Sequence, residues 1–278
     1  MASNKKKSVA RVKKAAGRKL ALVTGASSGI GLALAHEFVK NGFDLIIAAE
    51  NDEIHTVAES ISTFGGNAQA VQVDLATFEG VEELYEVVRA EGRPLAAAAI
   101  NAGVGVNGDF VRDNKLEDEM NLISLNVLSS VHLSKRVLED MVKNKEGRLL
   151  ITASIAGLAP GPYMATYNAS KAFLLSFAQA LRIELEDTPV TVTALMPGAT
   201  ETGFFSRAEM AEDTELGQAD KDNAVDVARD GFEAMMAGRE KVIAHSGKAH
   251  LDALMERILP ASVAARLEGA SAKPGSAK

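Results

Sequence analysis

Short apolar segments alternate with amphipathic ones along most of the chain. Residues 19–24, 44–49, 68–73 and 95–100 are short apolar runs, and each is followed by a stretch whose apolar residues recur at helical spacing. Strands that alternate with helices at this pitch predict an α/β fold, a doubly wound parallel sheet with helices on both faces. Because no internal repeat and no linker interrupts the pattern, we expect a single domain over 19–260.

The second half of the chain extends this pattern to about seven strands. Further strands are predicted over 148–154, 190–196 and 240–244, and helices over 32–39, 54–64, 78–90, 116–143, 166–187, 224–237 and 247–258. Residues 203–222 are polar with scattered Met and Phe, and we interpret them as a mobile flap over the strand ends. Residues 261–278 are expected to form a low-complexity tail.

The amino terminus differs in charge from the rest of the chain. Residues 1–19 hold eight Lys or Arg and no acid, although the whole chain has a net charge of −7. The acidic remainder is a poor surface for nucleic acid, so we do not expect a nucleic-acid partner. We interpret the basic arm, 1–18, as solvated and disordered; contact with RNA, DNA or anionic lipid is the alternative.

Composition excludes several classes of protein. Cysteine is absent, which rules out disulfides and thiolate chemistry. No run of 18 apolar residues and no secretory signal is visible, so we expect a cytoplasmic protein without a membrane span. The five histidines show no metal-ligand spacing, and no metal site is predicted.

A glycine-rich turn connects the first predicted strand to the first helix. Its sequence is Gly25-Ala-Ser-Ser-Gly29-Ile-Gly31. Glycines let backbone N–H groups approach a pyrophosphate, and a helix N-terminus favours its negative charge. The spacing differs from the general dinucleotide fingerprint, and a turn without a ligand is the alternative. The predicted contacts are Gly25, Ser27, Ser28, Gly29, Ile30 and Gly31.

Polar or small residues end the next three strands. Glu50 lies where an acid can accept hydrogen bonds from the adenine-ribose hydroxyls of NAD and repel a 2′-phosphate; alternatively, it opens the acidic first turn of the next helix. Asp74 could accept from the adenine amino group or cap the following helix. The small residues of Asn101-Ala-Gly103 would let a cofactor lie close to the backbone. NAD is therefore the predicted cofactor, with NADP not excluded.

The candidate chemistry lies between Ser154 and Lys171. Tyr167 and Lys171 are expected one turn apart on the same helix face. A free tyrosine has a pKa near ~10 and is a poor acid or base at neutral pH. A lysine ammonium one turn away favours the phenolate, which would bring that pKa toward the range useful for general acid–base catalysis. Ser154, at a strand end, could donate a hydrogen bond to a substrate oxygen.

In this order and at these separations, the motifs resemble the short-chain dehydrogenase/reductase family over roughly residues 19–245. The matches are Thr24-Gly-Ala-Ser-Ser-Gly-Ile-Gly31, Asp74, Asn101-Ala-Gly103, Asn126, Ser154, Tyr167-x-x-x-Lys171 and Pro197-Gly198. The resemblance implies a Rossmann-type fold and hydride transfer between NAD(P) and a carbonyl or secondary alcohol, without a metal. It also implies a homodimer or homotetramer built on the helices 116–143 and 166–187.

The resemblance further implies roles for individual residues. Tyr167 would be the acid/base at the substrate oxygen, and Ser154 would hold that oxygen. Lys171 would lower the pKa of Tyr167 and bind the nicotinamide ribose. Asn126, which in isolation is an ordinary mid-helix polar residue, would hold a water that links Lys171 to solvent. Thr202 would contact the nicotinamide carboxamide. The remaining implied cofactor contacts are Leu75, Ala102, Pro197, Gly198 and Thr200.

Some questions stay open at the level of sequence. NAD-preferring relatives often carry an acid at the position of Ala49, one residue before Glu50, which leaves the cofactor choice open. A non-catalytic nucleotide-binding regulator on the same fold is the alternative function, although it would tolerate loss of Tyr167 or Lys171. The substrate is not predicted. Four residues could form an apolar substrate wall or could be ordinary packing: Met164, Phe204, Phe205 and Met210.

Overall fold

The computed structural model describes residues 17–63, 65–210, 212–244 and 260–277. Within them, seven parallel strands form one sheet in the order β3-β2-β1-β4-β5-β6-β7. The strands are β1 (Lys19–Thr24), β2 (Phe43–Ala49), β3 (Ala68–Gln72), β4 (Leu95–Ile100), β5 (Arg148–Thr152), β6 (Thr191–Met196) and β7 (Lys241–Ile243). The strand order reverses between β1 and β4, which opens a crevice at their carboxyl ends. The predicted Rossmann-type fold is confirmed.

Helices cover both faces of this sheet. They are α1 (Gly29–Lys40), α2 (Glu53–Thr63), α3 (Phe78–Ala90), α4 (Leu116–Ile123), α5 (Ser129–Asn144), α6 (Ala165–Glu184), α7 (Phe204–Arg207), α8 (Glu215–Gln218), α9 (Ala224–Met236) and α10 (Ala261–Ala272). Alternate residues of β1 point to opposite faces: Leu20 and Leu22 pack with α3, α5 and α6, whereas Ala21 and Val23 pack with α1, α2 and α9. This burial on both faces explains why the strands are continuous apolar runs.

The helix predicted over 116–143 is present but not uniform. A π-helical turn, Ser124–Leu128, joins α4 to α5. Asn126 lies in this turn and is fully buried. Single π-helical turns inside α-helices occur frequently at functional sites.

The carboxyl-terminal prediction was wrong in part. Residues 261–278 were expected to be a low-complexity tail, but Ala261–Ala272 form α10, in which Ala264, Gly269 and Ala272 are buried. Alanine has the highest helix propensity, and its small side chain allows close packing, so a compositionally simple segment folds here. The predicted helix 247–258, the arm before residue 17 and the helix end at Phe64 lie outside the described residues.

Smaller differences concern boundaries and the predicted flap. The strand expected to reach Ser154 ends at Thr152, and the last strand is shorter than the predicted range 240–244. The range 203–222 contains the short helices α7 and α8; its mobility stays a prediction. In the part of the chain that the structure describes, no helix combines the length and apolar character needed to cross a membrane.

Candidate active site

A cleft of about 740 Å³ runs along the carboxyl ends of the strands, a volume typical of ligand sites. The predicted site residues that line it are Gly25, Ser27, Ser28, Gly29, Ile30, Glu50, Asp74, Leu75, Asn101, Ala102, Gly103, Ser154, Tyr167, Lys171, Pro197, Gly198, Thr200 and Thr202. Gly31 and Asn126 are buried and do not line it. The fold therefore brings nearly all of the residues singled out from sequence to one cavity.

The glycine turn forms one end of this cleft. Gly25 and Gly29 have φ values of +64° and +57°, a conformation that favours glycine. A Cβ at Gly31 would lie 2.1 Å from the carbonyl oxygen of Gly25, so this glycine permits close packing of the turn. Ser28, the N-cap of α1, makes no side-chain capping hydrogen bond, and the first turn holds no acid. The N–H groups of that turn are thus suited to an anion, which fits a pyrophosphate.

The next part of the cleft carries two acids. Glu50 is exposed after β2 and lies three residues before α2, so it does not open that helix. Asp74 accepts a hydrogen bond from the backbone N–H of Ala76 (2.8 Å), while the N-cap of α3 is Thr77. The alternative capping role of Asp74 is therefore wrong. No Lys or Arg occurs among the described residues that line this part: Ser27, Ser28, Ala49, Glu50, Asn51, Val73, Asp74 and Leu75.

Thr24 connects the carboxyl ends of β1 and β4 through hydrogen bonds. Its Oγ1 accepts hydrogen bonds from the backbone N–H groups of Asn101 (2.9 Å) and Ala102 (3.1 Å). The side chain of Asn101 donates in return to the carbonyl oxygen of Thr24 (3.2 Å). No role was predicted for Thr24 from the sequence; its position at a strand end, next to the glycine turn, is the signal that could have identified it.

Ser154, Tyr167 and Lys171 meet at the other end of the cleft. Tyr167 and Lys171 lie one turn apart on α6, as predicted. The Nζ of Lys171 donates to the carbonyl oxygen of Thr152 (3.0 Å) and lies 5.6 Å from the centroid of the Tyr167 ring. The hydroxyl of Ser154 accepts from the backbone N–H of Ala156 (3.1 Å) and donates to the carbonyl oxygen of Pro197 (3.3 Å).

Burial dominates the electrostatics of this group. It raises the pKa of Tyr167 to about 12, and the neighbouring Ser154 hydroxyl offsets only part of that rise. Burial also lowers the pKa of Lys171 to about 8. The pKa of Tyr167 is therefore raised in this structure and not lowered as predicted, while the influence of the Lys171 ammonium on the phenolate stays a prediction. The Lys171 amine lies over the face of the tyrosine ring and bonds to Thr152, while desolvation disfavours both charged forms.

Asn126 holds the backbone beside Lys171. Its Oδ1 accepts from the N–H of Val104 (2.9 Å), and its Nδ2 donates to the carbonyl oxygen of Val104 (2.9 Å) and to the Ser170 hydroxyl (3.2 Å). A Cβ at Gly103 would lie 3.0 Å from the Asn126 Oδ1 and 3.6 Å from the Lys171 Nζ. Asn126 thus lies close to Lys171, with Gly103 between them. The proton relay stays a prediction.

The candidate substrate side is apolar. The Phe204 ring lies 5.1 Å from the Tyr167 ring, centroid to centroid. A Cβ at Gly105 would lie 2.4 Å from a ring atom of Phe204, so Gly105 leaves the space that this ring occupies. Met164, Phe204 and Phe205 line the cleft, whereas Met210 is fully buried beneath it.

One wall of the cleft was not predicted from the sequence. Four residues of α10 line it: Ala264, Leu267, Glu268 and Ser271. Their spacing, i, i+3, i+4 and i+7, is the signal that was available, although the simple composition of the segment concealed it.

Comparisons with known proteins agree with this geometry. A family model described as short chain dehydrogenase matches residues 19–213. "Oxidoreductase UcpA" of Salmonella typhimurium is 33% identical over 186 residues, which cover 66% of this chain and 70% of the relative. The "3-oxoacyl-[acyl-carrier-protein] reductase FabG" of the same organism is 34% identical over 190 residues, or 66% and 74% of the two chains.

Solved structures share the fold over most of the chain. A short-chain dehydrogenase from Sphingobium yanoikuyae in complex with NADPH has a TM-score of 0.76 and 28% identity, and the match covers 85% of this chain and 92% of that one. A short chain dehydrogenase/reductase from Burkholderia phymatum in complex with NAD has a TM-score of 0.78 over 92% and 97% of the two chains. At 24% identity, this second likeness concerns the fold alone.

Proposed function

Because the chain belongs to the short-chain dehydrogenase family, we propose that it is an oxidoreductase that transfers a hydride between a nicotinamide cofactor and a ketone or secondary alcohol, with Tyr167 as the acid/base. The observation that carries this proposal is the convergence of Ser154, Tyr167 and Lys171 on the cleft that begins at the glycine turn. A regulator that only bound the nucleotide would not need an ionisable pair at the far end of the same cleft.

The cofactor would supply or accept the hydride at its nicotinamide ring. The Ser154 hydroxyl would hold the substrate oxygen by redirecting its hydrogen bond from the Pro197 carbonyl. In the direction of reduction, the Tyr167 hydroxyl would give its proton to that oxygen as the carbonyl carbon receives the hydride; in oxidation it would take the proton back.

Lys171 would stabilise the charge that this transfer leaves on Tyr167. With a pKa of about 8, its amine is mainly protonated at neutral pH, although it is buried. An ammonium near the phenolate favours proton release from Tyr167, whose pKa is otherwise raised by burial. Asn126, which fixes the backbone at Val104, would keep the floor of the cleft in place beside this amine and carry the predicted water.

We propose that NAD is preferred to NADP. Glu50 and Asp74 provide two carboxylates where the adenosine would lie, and the described lining residues of this part include no Lys or Arg. A carboxylate can accept hydrogen bonds from ribose hydroxyls, whereas it repels a 2′-phosphate. The remaining proposed cofactor contacts are the glycine turn, Asn101-Ala-Gly103 and the segment from Pro197 to Thr202.

We also propose a homo-oligomer that buries the outer surfaces of α4, α5 and α6. Large apolar side chains are exposed on these helices and on the π-helical turn, among them Met120, Leu128, Phe173 and Ile183. Sedimentation velocity tests this proposal: Phe173→Asp should shift the wild-type oligomer toward monomer, and a wild-type monomer would contradict it.

The test of the activity uses two of the three tyrosines of the chain. Turnover of a panel of neutral ketones with NADH is followed by the absorbance of the reduced cofactor. Tyr167→Phe should lower kcat by at least about 100-fold, because it removes the transferable proton, while the NADH affinity stays close to wild type. Tyr85→Phe, which changes a buried tyrosine of α3 that donates to Asp140 of α5 and does not line the cleft, is the matched control. Wild-type turnover in Tyr167→Phe would refute the acid/base role.

A further inference from the structure

The helix α10 turns one face toward the cleft. A single stripe of this helix carries its four lining residues: Ala264, Leu267, Glu268 and Ser271. A Cβ at Gly269 would lie 2.9 Å from the Pro162 side chain, so α10 packs closely against the segment that precedes α6. The four lining residues therefore belong to a helix that packs against the rest of the protein.

Asn107 forms hydrogen bonds that link α10 to the loops beside the candidate catalytic residues. Its Nδ2 donates to the carbonyl oxygen of Ala272 (2.8 Å) and to that of Tyr163 (3.2 Å). Tyr163 also accepts from the backbone N–H of Gly108 (2.9 Å). The loop that follows β4 and the loop that precedes α6 thus hold the same helix end.

The residues after α10 are bonded to the segment between α7 and α8. The Asp213 carboxylate accepts from the N–H of Gly275 (2.8 Å), and its backbone carbonyl accepts from the N–H of Ala277 (3.2 Å). The hydroxyl of Ser276 accepts from the N–H of Glu215 (2.9 Å). These contacts place α10 beside α8, and Ala272 of α10 packs in the same apolar cluster as Phe204 and Leu216, on the substrate side of the cleft.

This end of the cleft is apolar inside and acidic at its rim. Apolar surface comes from Met164, Phe204, Leu216, Ala264 and Leu267. The charged lining residues here are Glu215, Asp220, Asp222 and Glu268 against Arg207 and Lys221. The Lys221 amine donates to the carbonyls of Gly217 and Ala219, which engages part of its hydrogen-bonding capacity. The excess of carboxylates disfavours anions.

We infer that α10 is the specificity-determining wall of the substrate pocket, and that the pocket selects neutral ketones or secondary alcohols with an apolar body over acidic ones. The inference rests on the proposed function for the reacting group. The part of the inference that concerns the shape of the pocket does not depend on turnover, because it predicts which residue limits the space for any apolar ligand.

The first test enlarges the wall by substituting Ala264, which is 4% exposed. Ala264→Leu extends a side chain into the cleft, and Ala270→Leu makes the same change at an exposed position of the same helix that does not line it. The substrates are butanone and acetophenone with NADH. Nile red, a neutral apolar dye, reports on the pocket by its fluorescence without turnover.

Ala264→Leu should lower the ratio of kcat/KM for acetophenone to that for butanone by about tenfold and weaken Nile red binding by a similar factor. NADH affinity and the melting temperature should follow those of Ala270→Leu. Nile red binding that is equal in both variants and the wild type would overturn the inference. If Ala264→Leu weakens Nile red binding but the protein reduces no ketone, the proposed function would be refuted, whereas the assignment of α10 as a wall of the pocket would still hold.

The second test concerns the charge at the rim. Levulinate and its methyl ester differ by one negative charge and share the same ketone. Glu268→Gln should raise the ratio of kcat/KM for the acid to that for the ester about threefold or more, because it removes a repelling carboxylate. Glu83→Gln, at an exposed position on α3, should leave the ratio unchanged. An unchanged ratio in Glu268→Gln would contradict the selection against acids.

Discussion

Lys171 should make the protein less stable, although it is proposed to be essential for turnover. It is 5% exposed, and burial lowers its pKa from the usual 10.5 to about 8. At pH values between 8 and 10.5 the unfolded chain binds more protons than the folded one, so the free energy of unfolding falls as the pH drops through this range. At pH 7 the destabilisation caused by the buried Lys171 is therefore complete. This difference in pKa corresponds to about 3 kcal/mol.

Replacement by methionine removes most of this cost. Lys171→Met keeps the length of the side chain but loses the hydrogen bond to the Thr152 carbonyl. The loss of this bond lowers the free energy of unfolding by about 1 kcal/mol and so offsets part of the gain. The expected net gain in the free energy of unfolding is about 2 kcal/mol at pH 7, which raises Tm by about 4–8 °C for a domain of this size. The same variant should lose turnover, which links the buried amine to function rather than to stability.

The assay is urea unfolding of the protein without cofactor at several pH values from 7 to 10. The gain in Lys171→Met should shrink by about 2 kcal/mol over this range, because the unfolded lysine also approaches neutrality. Tyr167, whose pKa is raised, contributes stability that is fully present below pH 10 and is lost as the pH rises through 12; both proteins share that contribution. Lys135→Met, at an exposed lysine of α5, is the control. A loss of stability at pH 7, or a gain that does not depend on pH, would refute the reasoning.

Three further changes test other parts of the site. Glu50→Arg should lower the Kd for NADPH relative to that for NADH by at least about tenfold in fluorescence titrations, because it replaces a repelling charge at the 2′-phosphate with an attracting one; an unchanged ratio would mean that Glu50 does not face the ribose. Asn126→Ala should lower the free energy of unfolding by about 1–3 kcal/mol in urea, since it leaves the half-buried backbone N–H and carbonyl of Val104 without their partner; wild-type stability would contradict that account. Gly31→Ala should cost about 1–3 kcal/mol and weaken NADH binding, because the added Cβ would meet the Gly25 carbonyl at 2.1 Å; unchanged stability would show that the turn relaxes freely.

The sheet and most of the site follow from local patterns in the sequence. Buried parallel strands are short apolar runs, and the glycine turn marks the point where β1 passes into α1. Because ligands bind at the carboxyl ends of parallel strands, residues that end strands, such as Glu50 and Ser154, could be assigned to one cavity before the structure was known.

The remaining features depend on contacts that are distant in the sequence. The π-helical turn at Asn126 accompanies hydrogen bonds to Val104, and the position of α10 depends on Asn107, which is 165 residues from its partner Ala272. The pKa of Tyr167 was predicted from its neighbour Lys171, but burial by surrounding elements decides its direction. The π-helical turn, the position of α10 and the pKa of Tyr167 therefore have no local signature in the sequence.

The most direct measurement of the central claim is isotope transfer. NADH that carries deuterium in place of both hydrogens at C4 of the nicotinamide ring is incubated with the protein and the ketone panel, and the alcohol products are examined by mass spectrometry. We expect one deuterium on the carbinol carbon with the wild type, transfer reduced by at least about 100-fold with Tyr167→Phe, and normal transfer with Tyr85→Phe. A wild-type protein that binds NADH but leaves every product unlabelled, or equal labelling by Tyr167→Phe, would contradict the account.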